Sequence, residues 1–306
     1  MKKIHLQIVV VFIIFGFFSC QNETKTNTKS NRVVVIGLDG LSVEGYQKSK
    51  HPNLDKLLED GSLSLNTRCV MPSVTLPNWT SHLTSGGPEQ HGVTGNDWRL
   101  DNHQLSPIER DSLGYYPSIF KILKEQIPHI KTAYYYNWGN LINPINKLFL
   151  DEINFEKDDK YVDNYRKAFE FINENKENPT FVFLYSVHVD HAGHEFNWMS
   201  PEYISSIEEV DVEIGHFINK LKSSGLYEST HFLLITDHGG ISSGHGGLSE
   251  DEMEVPWGIT GPGIAKGKII KEPNSNANTA AVISVLFGCS DLPKSWIGKV
   301  PESIFE

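Results

Sequence analysis

Cysteine is scarce in this chain, with three among 306 residues, so a disulfide framework is excluded as the basis of the fold. No basic stripe is visible either. The formal charge is −11, from 27 basic and 38 acidic residues, and a general nucleic-acid binder needs clustered Lys and Arg. No nucleic-acid partner is therefore expected. An acidic chain still permits a phosphate-bearing substrate, because bound cations invert the local field. Internal repeats are missing. Hydrophobic residues make up 39%, enough to bury a sizeable core.

Long apolar runs are missing too, with one exception. Lys2 and Lys3 precede "IHLQIVVVFIIFGFFSC", which is short for a membrane span and has the layout of a secretory signal over residues 1–19. Cys20 closes that run after Ser19, as in a bacterial lipoprotein signal. The expected outcome is cleavage before Cys20, acylation of its thiol and a disordered tether over 20–31. The expected location is the bacterial cell envelope, with a lipid anchor in the membrane. Cys69 and Cys289 could form a disulfide in an oxidising compartment, and the default reading is two separate buried thiols.

What is present from residue 32 onward is an alternation of strands and helices. "RVVVIG", "TFVFLYSV" and "HFLLIT" are continuous apolar runs, as expected of strands covered on both faces. "SLSLNTRCV", "IKTAYYY" and "VPWGIT" read as further strands. Helices are expected over "HPNLDKLLEDG", "PSIFKILKEQ", "DKYVDNYRKAFEFINEN", the long "SPEYISSIEEVDVEIGHFINKLKSSG" and "NTAAVISVLFG". The fold class is α/β, a three-layer sandwich with a largely parallel central sheet flanked by helices, forming one domain over 32–306. Residues 98–160 read as an insertion near the site.

In open α/β sheets, sites form at the carboxyl ends of strands. Asp39 follows the first strand in "GLDG". Asp190 and His194 follow the strand "TFVFLYSV" in "VDHAGH". Asp237 and His238 follow the next in "TDHGG", with His245 close behind in "GHGG". Three aspartates at one sheet edge gather negative charge that cations must neutralise. Mixed Asp and His ligands suit zinc, with bonds of roughly 2 Å. His82, His91, His188 and His191 are surplus, and the last two lie close enough to support ligands.

Together with "MPSVTLPNWTSHLTSGGPEQHGVTGN", these motifs resemble the alkaline phosphatase superfamily, most closely its nucleotide pyrophosphatase/phosphodiesterase branch, across about residues 33–265. The resemblance implies two zinc ions. One would be held by Asp39, Thr75, Asp237 and His238, and the other by Asp190, His194 and His245. It implies Thr75 as a nucleophile activated by zinc, a phospho-threonine intermediate, and net retention at phosphorus. Asn96, with a backbone N–H at the nucleophile, would bind a phosphoryl oxygen. The nucleophile is also read as starting a helix, "NWTSHLTSG", whose N-terminus favours phosphoryl charge.

Competing readings come from the same superfamily. Sulfatases convert a Cys or Ser in Cys-x-Pro-x-Arg, but Pro72 is one residue late after Cys69 and the Arg is missing. Ser73 reads as a turn residue. Thr-nucleophile monoesterases use a Lys-x-Arg pair, and 98–170 contains none. The expected activity is thus hydrolysis of small-molecule phosphodiesters. The alternatives are a phosphomonoesterase, a sulfatase-like hydrolase, or an inactive surface lipoprotein that keeps the fold for binding. Trp79, four residues from Thr75, is expected to touch substrate, and Trp98 and "AYYYNWGN" are candidates to stack a nucleobase. The chain is shorter than typical members of the branch, which weakens transfer of nucleotide specificity.

Overall fold

The run RVVVIGL forms β1 (Arg32–Leu38), and all seven of its residues are buried. Val33 and Val35 enter one apolar cluster, while Val34, Ile36 and Leu38 enter the other. Side chains alternate across a strand, so an unbroken apolar run dictates a strand covered on both sides. The structure, a computed structural model, describes residues 30–306.

The remaining strands are β2 (Gly61–Arg68), β3 (Lys131–Tyr136), β4 (Glu152–Phe155), β5 (Thr180–Ser186), β6 (Thr230–Ile235), β7 (Glu254–Thr260) and β8 (Lys268–Ile269). They form one eight-stranded sheet in the order β4-β3-β5-β1-β6-β7-β2-β8. From β4 to β6 every pairing is parallel, and only β7 runs the other way, antiparallel to both β6 and β2. Helices α1 (Val43–Lys48) and α2 (Pro52–Glu59) follow β1, and α3 (Thr75–Thr84) and the single turn α4 (Pro88–His91) follow β2. Then come α5 (Ile119–Gln126), α6 (Tyr161–Glu174), α7 (His188–Phe196), α8 (Pro201–Ser223), the short α9 (Glu250–Met253) and α10 (Asn278–Phe287). Side chains from α3, α5 and α10 pack on one sheet face, and those from α1, α2, α6, α7 and α8 on the other. The expected three-layer sandwich is thus the observed fold.

Two expectations are corrected. Residues 98–160 are not a separate insertion, because α5, β3 and β4 lie within that range and β3 pairs with β5 inside the sheet. Ser30 and Asn31 are not tether. The Ser30 N–H bonds the Leu286 carbonyl at 2.6 Å, and the Asn31 carbonyl accepts from Thr180. The signal run and Cys20 lie outside the described residues. Among the described residues no helix is long and apolar enough to cross a membrane.

Candidate metal centre

The expected ligands gather at the carboxyl edge of the sheet. Asp39 is the first residue after β1. Asp237 and His238 follow β6, and Asp190 and His194 lie one turn apart on α7, so both face the same side. Gly40 has φ +69, and a Cβ there would lie 2.9 Å from the Asp190 backbone, so only glycine lets the two chain segments approach this closely. Thr75 opens α3. Val74 N–H bonds Pro72, Leu76 N–H bonds Asn96 Oδ1 at 2.8 Å, and Pro77 has no N–H, which leaves the N–H of Thr75 for a ligand.

The polar atoms in this cluster are arranged as no metal-free protein would favour. Asp39 Oδ1, Asp190 Oδ1 and Asp237 Oδ2 are buried without a hydrogen-bond partner among the described residues. Burial and the neighbouring Asp190 hold the Asp39 carboxyl well above its ordinary range, and burial with Asp39 does the same to Asp237. Burial, then Asp159, pushes Asp190 up to about 7.

The imidazoles point the same way. Nδ1 of His238 faces the Gly239 carbonyl at 2.8 Å, that of His245 the Ser73 carbonyl at 2.9 Å, and that of His194 the Ser243 carbonyl at 2.9 Å. A carbonyl only accepts, so each Nδ1 carries a proton, and each ring turns its Nε2 inward. Burial holds His238 well below its ordinary range and lowers His245 as well, which keeps both neutral. Yet Nε2 of His245 and Nε2 of His194 are 3.2 Å apart, and Nε2 of His238 is 3.1 Å from Asp237 Oδ2. Lone pairs facing one another at these distances repel unless a cation lies among them.

Two overlapping sets, Asp39–Asp190–His238 and Asp190–His194–His245, bring their ligand atoms within 4.8 Å of one another. The donor set, imidazole nitrogen with carboxylate oxygen, fits a transition metal. The Thr75 hydroxyl lies 3.2 Å from His238 Nε2 and joins the first set in space. Metal must displace the proton that Asp190 holds near neutrality. Affinity is therefore expected to rise with pH through about 7, by about tenfold per unit for each proton displaced. Chelator competition between about pH 5.5 and 7.5 checks this, and a flat profile would contradict it.

Several residues in the surroundings were not legible in the motifs. Ser73, read as a turn residue, is buried. Its hydroxyl donates to the Gly247 carbonyl at 2.7 Å and accepts from the Gly246 N–H at 3.2 Å, fixing the loop that carries His245. Asn78 gathers the turn before Thr75 by donating to the carbonyls of Val70, Pro72 and Val74. Asn276, far along the chain, donates to Asn78 at 3.1 Å and to the Asp237 carbonyl at 2.8 Å, tying that turn to the ligand strand. Burial pushes the Cys69 thiol up to about 12, so it is a core thiol. His82 and His91 are fully buried, with burial pushing each down to about 3, and they bond within the fold.

One expected contact is overturned. Trp79 is only 1% exposed, so its ring offers no face to substrate, and its indole N–H bonds Asp39 Oδ2 at 3.0 Å. Tyr134, Tyr135 and Tyr136 are buried likewise, since β3 lies inside the sheet, and Trp98 is buried against Leu76 and Val93, so these rings do not form the expected stacking face.

A largely parallel sheet with carboxylates and imidazoles massed at its carboxyl edge is the arrangement of the alkaline phosphatase superfamily. Residues 33–246 match the family described as type I phosphodiesterase / nucleotide pyrophosphatase. The chain belongs to this family. It is 26% identical over 236 residues to a pyrophosphatase/phosphodiesterase of Schizosaccharomyces pombe, covering 74% of this chain and 48% of that one. It is 20% identical over 239 residues to the human bis(5'-adenosyl)-triphosphatase ENPP4, covering 76% of this chain and 53% of that one. The chain thus spans about half the length of the curated relatives it matches. Among solved structures, an inactive threonine-to-alanine variant of murine ENPP5 in complex with AMP superposes with a TM-score of 0.75 at 16% identity. That match covers 90% of this chain and all of the other. The lipoteichoic acid synthase LtaP of Listeria monocytogenes gives 0.67 at 17% identity, over 90% of this chain and 76% of the other.

Proposed function

We propose that the protein is a two-zinc hydrolase of phosphodiester and pyrophosphate bonds with Thr75 as its nucleophile. The observation that carries this reading is the Thr75 hydroxyl at a helix N-terminus, 3.2 Å from His238 Nε2 and among buried carboxylates with unpartnered oxygens. Asp39, Thr75, Asp237 and His238 would hold one ion, and Asp190, His194 and His245 the other. When bound, the ions lower the pKa of a nearby hydroxyl or water and neutralise developing charge.

The residues then divide the work. Thr75 Oγ1 forms the new bond to phosphorus as the leaving alcohol departs, giving a phosphoryl ester of Thr75. Water cleaves that ester and restores the hydroxyl. Asn96 uses Oδ1 to accept from Leu76, so its Nδ2 is the group available to a non-bridging phosphoryl oxygen. The N–H of Thr75 donates to the same group of oxygens. The murine relative, inactive as its threonine-to-alanine variant and bound to AMP, supports a threonine nucleophile and a nucleotide product. The triphosphatase relative supports an adenosyl substrate with a pyrophosphate bond.

Paired assays test the substrate class. Bis-p-nitrophenyl phosphate is expected to be turned over faster than p-nitrophenyl phosphate or p-nitrophenyl sulfate, and dominance of either of the latter overturns the diesterase reading. On the same proposal the apolar run ending at Cys20 supports an exported lipoprotein. Cys20→Ala is expected to move the protein from the membrane to the soluble fraction, and unchanged fractionation counts against the anchor.

A further inference from the structure

The two oxygens of Asp39 have different surroundings. Oδ2 accepts from the Tyr185 hydroxyl at 2.5 Å and from the Trp79 indole N–H at 3.0 Å. Oδ1 accepts nothing and lies 3.6 Å from His238 Nε2. The donors come from separate elements, Tyr185 from the strand beside β1 and Trp79 from the helix that Thr75 opens. Their rings meet edge to face, with centroids 5.2 Å apart and planes at 85°. Phe183 closes the indole from another side at 5.7 Å. Gly37 makes the room, since a Cβ there would lie 2.7 Å from an indole carbon. Packing therefore leaves each donor one orientation, aimed at Oδ2.

A carboxylate oxygen carries about two lone pairs in its plane, and two hydrogen bonds occupy them. Only Oδ1 is left to bind an ion. We infer that Trp79 and Tyr185 are positioning residues that make Asp39 a one-oxygen ligand and set the affinity of the ion held with Asp237 and His238. This rests on the two-zinc reading above. A one-oxygen carboxylate suits a four-coordinate zinc site, whereas calcium collects about six to eight oxygens, often two from one carboxylate. Without one donor, the buried carboxylate can turn about its Cβ–Cγ bond and Oδ2 competes with Oδ1. Loss of such an outer partner weakens metal binding by roughly 10–100-fold.

Tyr185→Phe removes one oxygen and keeps the ring. Tyr165→Phe is the control, because the Tyr165 hydroxyl is buried without a partner among the described residues. Metal-free proteins are titrated with zinc against a chromophoric chelator. Wild type and Tyr165→Phe are expected to bind two ions with matching affinities. Tyr185→Phe is expected to bind one ion as wild type does and the other about 10–100-fold more weakly. Equal weakening of both ions, or of neither, overturns the inference while leaving the two-zinc reading intact. A wild type that binds fewer than two ions overturns that reading and the inference with it. Should Tyr185→Phe not fold, Trp79→Phe carries the same test through the other donor, with the same outcomes.

Discussion

Thr75→Ala is expected to lower phosphodiester turnover by about a thousandfold or more, with fold and bound metal retained. The Thr75 hydroxyl lies 3.2 Å from His238 Nε2, against the ligand cluster. The nearby alternatives are committed elsewhere. Ser73 holds the Gly246–Gly247 backbone, and the Cys69 thiol is kept protonated by burial. Thr75→Ser keeps an oxygen at the same position and is expected to retain measurable turnover. Cys69→Ala should leave the rate near wild type. The checks are steady-state kinetics, metal content and a thermal melt on each variant. Survival of activity in Thr75→Ala together with its loss in Cys69→Ala would transfer the nucleophile's role to the thiol.

Stripping the metal with a chelator is expected to abolish turnover and to make the protein easier to unfold, both reversed by adding zinc. Asp39, Asp190 and Asp237 share one buried edge, and each presents an oxygen without a hydrogen-bond partner among the described residues. Without cations the cluster must hold protons or suffer repulsion between carboxylates. At a hundredfold excess over its dissociation constant, an ion that binds only the folded state adds about 2.7 kcal/mol. For a domain of this size that is roughly 5 °C in Tm. Turnover unaffected by a strong chelator would contradict the metal reading.

The fold was legible where chemistry and burial agree. A strand that is apolar on both faces can only be internal, so β1, β5 and β6 could be placed from sequence, and with them the sheet edge that carries the ligands. Short elements escaped. Helix α7 was hidden because "HVDHAGHEF" has its ligands, not apolar residues, at helical spacing, so no helix was expected there. The reversed direction of β7 leaves no trace in "EVPWGIT", since strand direction is set by connections rather than by composition.

Within the site, the ligands were legible and their supports were not. Trp79 lies one turn from Thr75, which suggested substrate contact. The helix turns that face into the core, where the indole meets Asp39 instead. Tyr185 sits in the run "TFVFLYS", where an aromatic residue reads as packing, and nothing in sequence shows that its hydroxyl reaches a carboxylate. Asn276 is about two hundred residues from the turn it braces and lies beyond the matched family region. Partners so distant in sequence become visible only once the chain is folded.

The most direct test of the account is the stereochemical course at phosphorus. A phosphorothioate diester of single configuration is hydrolysed in heavy-oxygen water, and the configuration of the product is determined. Attack by Thr75 followed by attack of water gives two in-line displacements, so the account predicts net retention. Inversion would mean that water attacks the substrate directly and that Thr75 never bonds to phosphorus.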